Sequence, residues 1–476
     1  MVKTRAHHNR PKSHKKPTWA AVTEAGEVAR NAAKLRGAAK SRVMKAASVP
    51  LPALDDTALA RKWSAKREKR FIRNVRYNAQ LWHKHAPTYR ISGAHIGPLS
   101  SRPKPSSEGK IKAQATIDAM AHWESDACSA KFCDNEGQPL AAYFAKRIKR
   151  RSAGQRRVGT QAPIYPSGSK APTALGRTAA AVEEAAAAGH KVLNDGIKDK
   201  LIGDALFATQ VLHHFCHPEK SRKDGRHDFE DFLMRYRRRP DEAGEECARE
   251  EHGQWDFVHD GLTYRFADEH EASERTGVTH LVHAWHMQGH HTKQSPLKPS
   301  ADMVRNAQVA QAVQWYLSYT RPLALTLQEM FKVSWPEYYE KYRAAFEAGV
   351  WVEDDPGPWL GRAIVWKLQV LPHRDGLDGG PTAIFCLGSF TGGECYLPDL
   401  RLKLHYRPGD VLIFLSGDLY HAIGEWKPTT GVSTRGVTPG RVGNVFFSPK
   451  DSLQALEGQC PRWSKKTAGG VLPRSS

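Results

Sequence analysis

The stretch Ile364-Val365-Trp366-Lys367-Leu368-Gln369-Val370-Leu371-Pro372-His373-Arg374-Asp375 runs from an apolar segment through a proline into a His-x-Asp pair. Two more apolar runs lie downstream. Val411-Leu412-Ile413-Phe414-Leu415 follows the turn Pro408-Gly409-Asp410 and leads to His421. Val442-Gly443-Asn444-Val445-Phe446-Phe447 is preceded by Arg441. Short apolar runs bounded by Gly and Pro read as buried strands, and Gly392-Gly393 and Pro408-Gly409-Asp410 read as hairpin punctuation. Residues 364 to 447 are therefore expected to form a β structure with polar chemistry at its strand ends.

A His-x-Asp pair alone is weak, because Asp375 and Asp378 equally suit a polar turn after a strand. The neighbours change this. Residues i and i+2 of a strand point the same way, so His373 and Asp375 can face one metal together. His421 comes 46 residues after Asp375, enough chain for several strands to bring it back. Two imidazoles and one carboxylate on one face of an octahedral ion leave the opposite face open, as in mononuclear non-haem iron(II) sites. The open face would take 2-oxoglutarate and then O2. The distal carboxylate of that cosubstrate needs a charge-assisted, preferably bidentate partner, which favours arginine. His373, Asp375 and His421 are thus the expected metal ligands and catalytic residues, with Arg441 on the cosubstrate.

The chain has 476 residues, 71 Lys and Arg against 50 Asp and Glu, and a net charge of +21. That imbalance favours a polyanionic partner, nucleic acid before membrane. No apolar run approaches 18 residues, so no membrane span is expected. No apolar segment follows Met1-Val2-Lys3-Thr4-Arg5, so neither is a secretory signal. Seven cysteines without framework spacing suit reduced thiols in the cytosol or nucleus.

The charge is concentrated at one end. Residues 1 to 80 hold twenty Lys and Arg against five Asp and Glu. Arg5 to Lys16 is expected to be disordered, Ala20 to Ala47 a solvated helix, and Asp56 to His83 a more amphipathic one. That last segment interleaves Trp63, Phe71, Ile72, Tyr77 and Trp82 with basic residues. Its aromatics can stack on bases or pack the helix on the main domain. Ile96 to Lys112 reads as a linker and Gln114 to Ser129 as a helix. The basic clusters Lys146 to Arg151 and Arg156-Arg157 suit nuclear import or phosphate binding, and residues 152 to 176 read as loop.

Helices are expected at Thr178 to Gly189, Leu201 to Phe215 and Phe229 to Arg239. Trp255 to Val258 and Leu262 to Phe266 alternate as a hairpin turning at Asp260-Gly261, and Val278 to Met287 reads as a strand. Ala301 to Tyr319 has helical spacing. So does Thr326 to Ala348, with a restart at Pro336 and Ser334 as its cap. The resulting division is a basic extension (1–112), a basic helical or linker region (113–176), a catalytic domain (177–462) and a tail (463–476). Within the domain, helices over 177–350 buttress a β core mainly in 255–450.

Two clusters compete for attention. His280, His283, His286, His290 and His291 are dense, but their spacing matches no closed zinc site. His213, His214, Cys216 and His217 with Cys247 are weaker, and Cys128 and Cys133 do not make a zinc knuckle.

The segment from Trp366 to Pro449 resembles the catalytic core of the TET/JBP-type 2-oxoglutarate/iron(II) dioxygenases, which oxidise methyl groups on nucleic-acid bases. The likeness rests on His373-Arg374-Asp375, on Gly392-Gly393-Glu394-Cys395-Tyr396-Leu397-Pro398-Asp399-Leu400, and on Tyr406-Arg407-Pro408-Gly409-Asp410-Val411. It continues through His421 to Gly440-Arg441-Val442-Gly443-Asn444-Val445-Phe446-Phe447. It implies an α+β fold with a double-stranded β-helix (jelly-roll) core. It also implies iron on His373, Asp375 and His421, and 2-oxoglutarate on Arg441, with Arg435 as the alternative because the loop after His421 is long. Asp378 stands where the family places a polar side chain that reads a flipped base; Arg374 and Phe447 complete the expected substrate contacts. The animal enzymes usually carry Ser two residues after the arginine, where this chain has Gly443. They also carry an aromatic and then a His, where this chain has Phe447 and then Pro449.

The resemblance implies a nuclear, monomeric enzyme acting on double-stranded DNA. It would oxidise 5-methylcytosine to 5-hydroxymethylcytosine and further, a route to DNA demethylation. The same chemistry on N6-methyladenine, RNA, a protein or a small metabolite is the alternative, followed by a non-enzymatic nucleic-acid-binding protein.

Overall fold

Four small polar residues start helices. The side-chain oxygens of Ser64, Ser106, Thr178 and Asn306 accept from the backbone N–H three residues on, those of Arg67, Gly109, Ala181 and Val309, and so satisfy donors that a helix leaves unpaired. The structure, a computed structural model, describes residues 63–91, 105–146, 177–189, 194–219, 225–228, 249–251, 254–259, 262–267, 276–286, 296–428 and 440–471.

In chain order the elements begin with α1 (Ala65–His85), β1 (Thr88–Arg90), α2 (Ser107–Ala119), β2 (Ala130–Cys133), β3 (Pro139–Phe144), α3 (Ala179–Ala187) and α4 (Asp199–Phe215). Then come β4 (His227–Asp228), β5 (Arg249–Glu251), β6 (Gln254–His259), β7 (Leu262–Ala267) and β8 (Gly277–Val282). Helices α5 (Ala301–Val304), α6 (Ala307–Tyr319), α7 (Arg321–Ser334) and α8 (Pro336–Gly349) follow. The last part holds β9 (Gly361–Trp366), β10 (Gln369–Val370), β11 (Thr382–Gly392), β12 (Cys395–Leu397), β13 (Leu402–Leu404) and β14 (Val411–Phe414). It closes with β15 (Ala422–Ile423), β16 (Trp426–Pro428), β17 (Gly440–Phe447), α9 (Lys450–Leu456) and α10 (Trp463–Lys466).

The architecture is α+β. Its main sheet runs β1-β2-β3-β14-β11-β17-β9-β8, with β16 added on β11. β11 is the hub: it pairs antiparallel with β14, β17 and β16 along its length. Alternation sorts the residues onto two faces. Ala363, Val365, Gly443, Val445 and Ile384 line a cavity. Their neighbours meet the helices: Phe446 packs on Trp359, which stacks on Phe331 of α7, and Phe144 stacks on Trp82 of α1 with ring centroids 3.9 Å apart. A smaller antiparallel sheet of β12, β13 and β15 reaches the other side of the cavity through Ile423.

Asp410 fastens the N-terminal strands to this frame. Its carboxylate accepts from Tyr143 Oη at 2.9 Å, from the backbone N–H of Lys146 at 2.6 Å and from that of Arg407 at 2.8 Å. Asp410→Ala leaves three donors unpaired, that of Tyr143 fully buried, and is expected to cost about 2–4 kcal/mol in denaturant unfolding. Burial raises this carboxyl to about 6. A raised carboxyl stabilises the fold fully below its unfolded value, and this stabilisation is lost as the pH rises through about 6. The cost of Asp410→Ala should therefore be larger at pH 4 than at pH 8.

Several expectations are corrected. The supposed linker at 96–112 contains the start of α2, because Ser106 caps it, and the helix ends at Ala119 rather than Ser129. The region 113–176 is not merely helix and linker, for β2 and β3 enter the main sheet through β14. Six of the nine main-sheet strands do lie within 255–450, but β6 and β7, although they form the expected hairpin, pair only with each other and β5, outside the main sheet. Ala301 to Tyr319 is two helices, because Asn306 caps the second. The restart at Pro336 holds, but Ser334 is no cap; its hydroxyl donates back to Met330 O at 2.8 Å. The run from Ile364 to Leu371 breaks at Lys367, whose φ is +53°, into β9 and β10. The expected helices at 20–47 and 229–239, the basic residues after Lys146, the loop at 152–176, the hairpin tip at 260–261 and Arg435 lie outside the described residues.

Candidate active site

Backbone pairing brings His373 and His421 face to face. His373 N–H donates to His421 O at 3.0 Å, and His421 N–H to His373 O at 2.9 Å. Two residues on, Asp375 N–H donates to Ser416 O at 3.0 Å, so the tripeptide is extended and the side chains of His373 and Asp375 share a side. The imidazole centroids are 4.1 Å apart. His373 Nε2 lies 3.5 Å from Asp375 Oδ1, and His421 Nε2 lies 3.5 Å from Asp375 Oδ2. Ligand atoms of all three lie within 4.8 Å of one another, the one such cluster among the described residues.

Each imidazole is oriented by its own backbone. His373 Nδ1 is 2.8 Å from Leu371 O and His421 Nδ1 is 3.2 Å from Leu419 O. A carbonyl only accepts, so these contacts assign the proton to Nδ1 and leave the Nε2 lone pairs toward Asp375. Burial, then the neighbouring His373, lowers His421 to about 3, which keeps it a neutral ligand. Burial pushes the Asp375 carboxyl up, but the imidazoles of His373 and His421, with Arg226, outweigh it and hold it well below the usual carboxylate range. An ionised carboxylate and two imidazoles whose Nε2 atoms converge on it fit iron(II) in donor type and arrangement.

These residues open into a cavity of about 380 Å³, within the size range of ligand pockets. Arg441 lies in its wall at 2% exposure. The guanidinium rests over Tyr406, 5.5 Å from the ring centroid, and over Phe390 at 6.0 Å. It has no carboxylate partner among the described residues, and its buried Nε has no hydrogen-bond acceptor. Such an orphan donor calls for an explanation, and a carboxylate ligand supplies one. A Cβ on Gly443 would press on Val365 Cβ at 3.3 Å and just touch Arg441 Nη1 at 3.4 Å, so the glycine keeps the space beside the guanidinium open.

Asp378, Arg374 and Phe447 all line the same cavity. Asp378 Oδ2 accepts from Thr382 Oγ1 at 2.8 Å and Ser416 Oγ at 2.9 Å. Burial, and then Asp375 beside it, pushes the Asp378 carboxyl well above the ordinary value. The Arg374 guanidinium sits 5.3 Å from the Tyr420 ring centroid.

Sequence reasoning missed Arg226. Its Nη1 is 3.3 Å from Asp375 Oδ1, and its carbonyl accepts from Leu371 N–H at 2.8 Å. Nothing near Gly225-Arg226-His227 signals this role, since the contact spans 149 residues. Trp285, His286 and Asn444 also line the cavity unforeseen.

Of the first competing cluster, His280 and His286 line this same cavity, whereas His283 is structural. His283 Nε2 pairs with Asp355 Oδ2 at 3.2 Å, while Nδ1 accepts from Trp351 N–H at 3.1 Å. Burial raises the thiols of Cys128, Cys216, Cys386 and Cys395 to about 12, which makes them inert. No helix among the described residues is long and apolar enough to cross a membrane.

No protein-family profile matches the chain. Over 84 residues, 17% of the chain, it is 34% identical to Tet-like dioxygenase 1 of Naegleria gruberi, and the match spans 23% of the length of that relative. The solved structure of NgTET1 in complex with 5mC DNA aligns over 81% of this chain and 91% of its own, at 11% identity and a TM-score of 0.37.

Proposed function

We propose that the protein is a 2-oxoglutarate- and iron(II)-dependent dioxygenase that oxidises a methylated base in DNA, converting 5-methylcytosine to 5-hydroxymethylcytosine and further. The observation that carries this reading is one cavity holding both the His373, Asp375 and His421 cluster and a buried arginine with an orphan donor. The similarity of an 84-residue stretch to a Tet-like dioxygenase supports it. On this reading the two sheets form a double-stranded β-helix and the protein works as a monomer in the nucleus.

Iron and 2-oxoglutarate, when bound, would supply dioxygen activation coupled to decarboxylation of the cosubstrate to succinate. The chain's own residues do the rest. Leu371 O and Leu419 O hold both imidazoles in the tautomer that offers Nε2. Arg226 steadies one oxygen of Asp375, leaving the other for the metal. Arg441, dry and flanked by aromatic rings, receives the distal carboxylate of the cosubstrate. A base must leave the helix to reach this site, and Asp378 is placed to meet it. As a carboxylate it would accept from the exocyclic amino group of cytosine or adenine; protonated, as its raised value favours, it would donate to a ring nitrogen.

The test is incubation with 5-methylcytosine duplex, iron(II), ascorbate and 2-oxoglutarate, followed by nucleoside analysis, with N6-methyladenine duplex and methylated RNA in parallel. Hydroxymethylcytosine and succinate formed together are expected. Succinate formed only with N6-methyladenine or RNA would move the substrate. Its formation with a protein or metabolite alone would move the substrate class. No succinate from iron-loaded protein under any condition would leave a non-enzymatic binding protein.

A further inference from the structure

Helix α1 has two unlike sides. Val75, Ala79 and Trp82 are buried; Trp82, at 0% exposure, donates from Nε1 to Tyr143 O at 3.1 Å. The flanks of this buried face are tied down by ion pairs, Arg76 to Glu329 and Glu68 to Arg321, both at 2.9 Å. At 100° per residue, Lys66, Lys69, Arg70, Arg73, Tyr77 and Lys84 fall on the opposite side, within about 60° of one line. All six are exposed, and Tyr77 is 61% exposed. None of the five cations makes an ion pair among the described residues, and no acidic residue of α1 lies on that line.

We infer that this stripe is a docking surface for the phosphate backbone of double-stranded DNA, separate from the catalytic cavity. Charge complementarity identifies the occupant. Five cations in a row with no anion suit a regularly charged polymer, and from Lys66 to Lys84 the stripe spans about 27 Å, roughly eight base pairs. A membrane is disfavoured, since a surface-binding helix needs a free apolar face and that of α1 is spent on β3 and α7. Single-stranded RNA is disfavoured because one exposed aromatic makes a poor stacking platform.

The position of α1 adds the second half of the proposal. Trp82 packs on Phe144, whose pairing with Val411, and that of Val411 with Phe385, puts it on the helix-covered face of the main sheet. The cavity opens from the other face. The stripe therefore holds a stretch of nucleic acid other than the one presenting its base, as an anchor on neighbouring DNA. This deepens the proposed function but does not need turnover to be tested.

The experiment measures binding of the full chain to an unmethylated 40-base-pair duplex across a salt series, comparing wild type with Lys66→Gln/Arg70→Gln/Arg73→Gln. Each phosphate contact contributes about one to the log–log salt slope, so the slope should fall by about three. Melting temperature checks the fold, and a second triple variant, Lys66→Glu/Arg70→Glu/Arg73→Glu, should weaken binding further. An unchanged slope in both variants would overturn the inference. So would a loss confined to single-stranded RNA or to phosphatidylserine vesicles, or no duplex binding by wild type. The slopes of the variants do not bear on whether a methylated base is oxidised, and the nucleoside analysis of the wild type tests that separately, which keeps the two readings separable.

Discussion

Arg441→Leu is expected to raise the melting temperature of the ligand-free protein while weakening 2-oxoglutarate binding about 30-fold or more. The opposite signs follow from one circumstance, a buried cation with no anion among the described residues. In the ligand-free fold, desolvation of the guanidinium costs several kcal/mol. The offsetting contacts are two aromatic faces at 5.5 and 6.0 Å, each worth about 0.5–2 kcal/mol. Desolvation wins, so an apolar replacement of similar reach should stabilise. With the dicarboxylic acid present, removal of one partner of a buried charge pair costs about 2–5 kcal/mol, which is about 30-fold or more in Kd. Calorimetric titration of 2-oxoglutarate and a thermal melt without it measure the two arms. If Arg441→Leu lowered the melting temperature and left 2-oxoglutarate affinity intact, Arg441 would be a structural residue and the cosubstrate would sit elsewhere.

Asp375→Ala should abolish turnover and reduce iron(II) affinity by more than about 100-fold. Groups that merely orient a ligand are worth about 10–100-fold, and Asp375 would itself be the ligand. Arg226→Gln, which removes the guanidinium beside Asp375 Oδ1 but no ligand atom, should therefore fall within that smaller range. The readouts are a competition titration against a chromophoric chelator and the thermal shift produced by metal. Metal at a hundred times its Kd raises the stability of the wild type by about 2.7 kcal/mol, and Asp375→Ala should show no such rise. Binding of unmethylated duplex should persist in both variants. An iron-dependent thermal shift retained in Asp375→Ala would remove the metal assignment.

The residues with local causes were legible. Gly392, Gly393 and Gly409, with φ of +71°, +76° and +104°, occupy the turns that their identity and neighbours indicate. The amphipathic helices follow from periodicity, because one face of each is covered, and the three strands around the site from short apolar runs, because both their faces are buried. The pairing of His373 with Asp375 was legible for the same reason: spacing of two along an extended chain is a local property. Where a capping side chain decided a boundary, local reading slipped. Ser106 and Asn306 began helices earlier or later than composition indicated.

What composition left open about the N-terminal third was settled by long-range contact. The amphipathic pattern of α1 is equally compatible with stacking on bases and with docking on the domain. The choice rests on Trp82 meeting Phe144 and on two ion pairs that each bridge 253 residues. Likewise β2 and β3 look like part of an extension until β14 is placed beside β3.

By itself, then, the order of residues determined the α+β class, the strand-like runs, the turns, and the candidate ligand set with its accompanying arginine. The runs and turns depend on side chains within a few positions of one another, and the α+β class and the ligand set on motifs spread over residues 366 to 449 and the family they resemble. Only the tertiary structure decided that Arg226 touches Asp375, that Arg441 is buried without an anion among the described residues, and that the basic side of α1 faces away from the cavity. Such facts depend on which distant segments share a dry interior. No local propensity encodes that, because the free energy of burial belongs to the assembled layers rather than to any one stretch of chain.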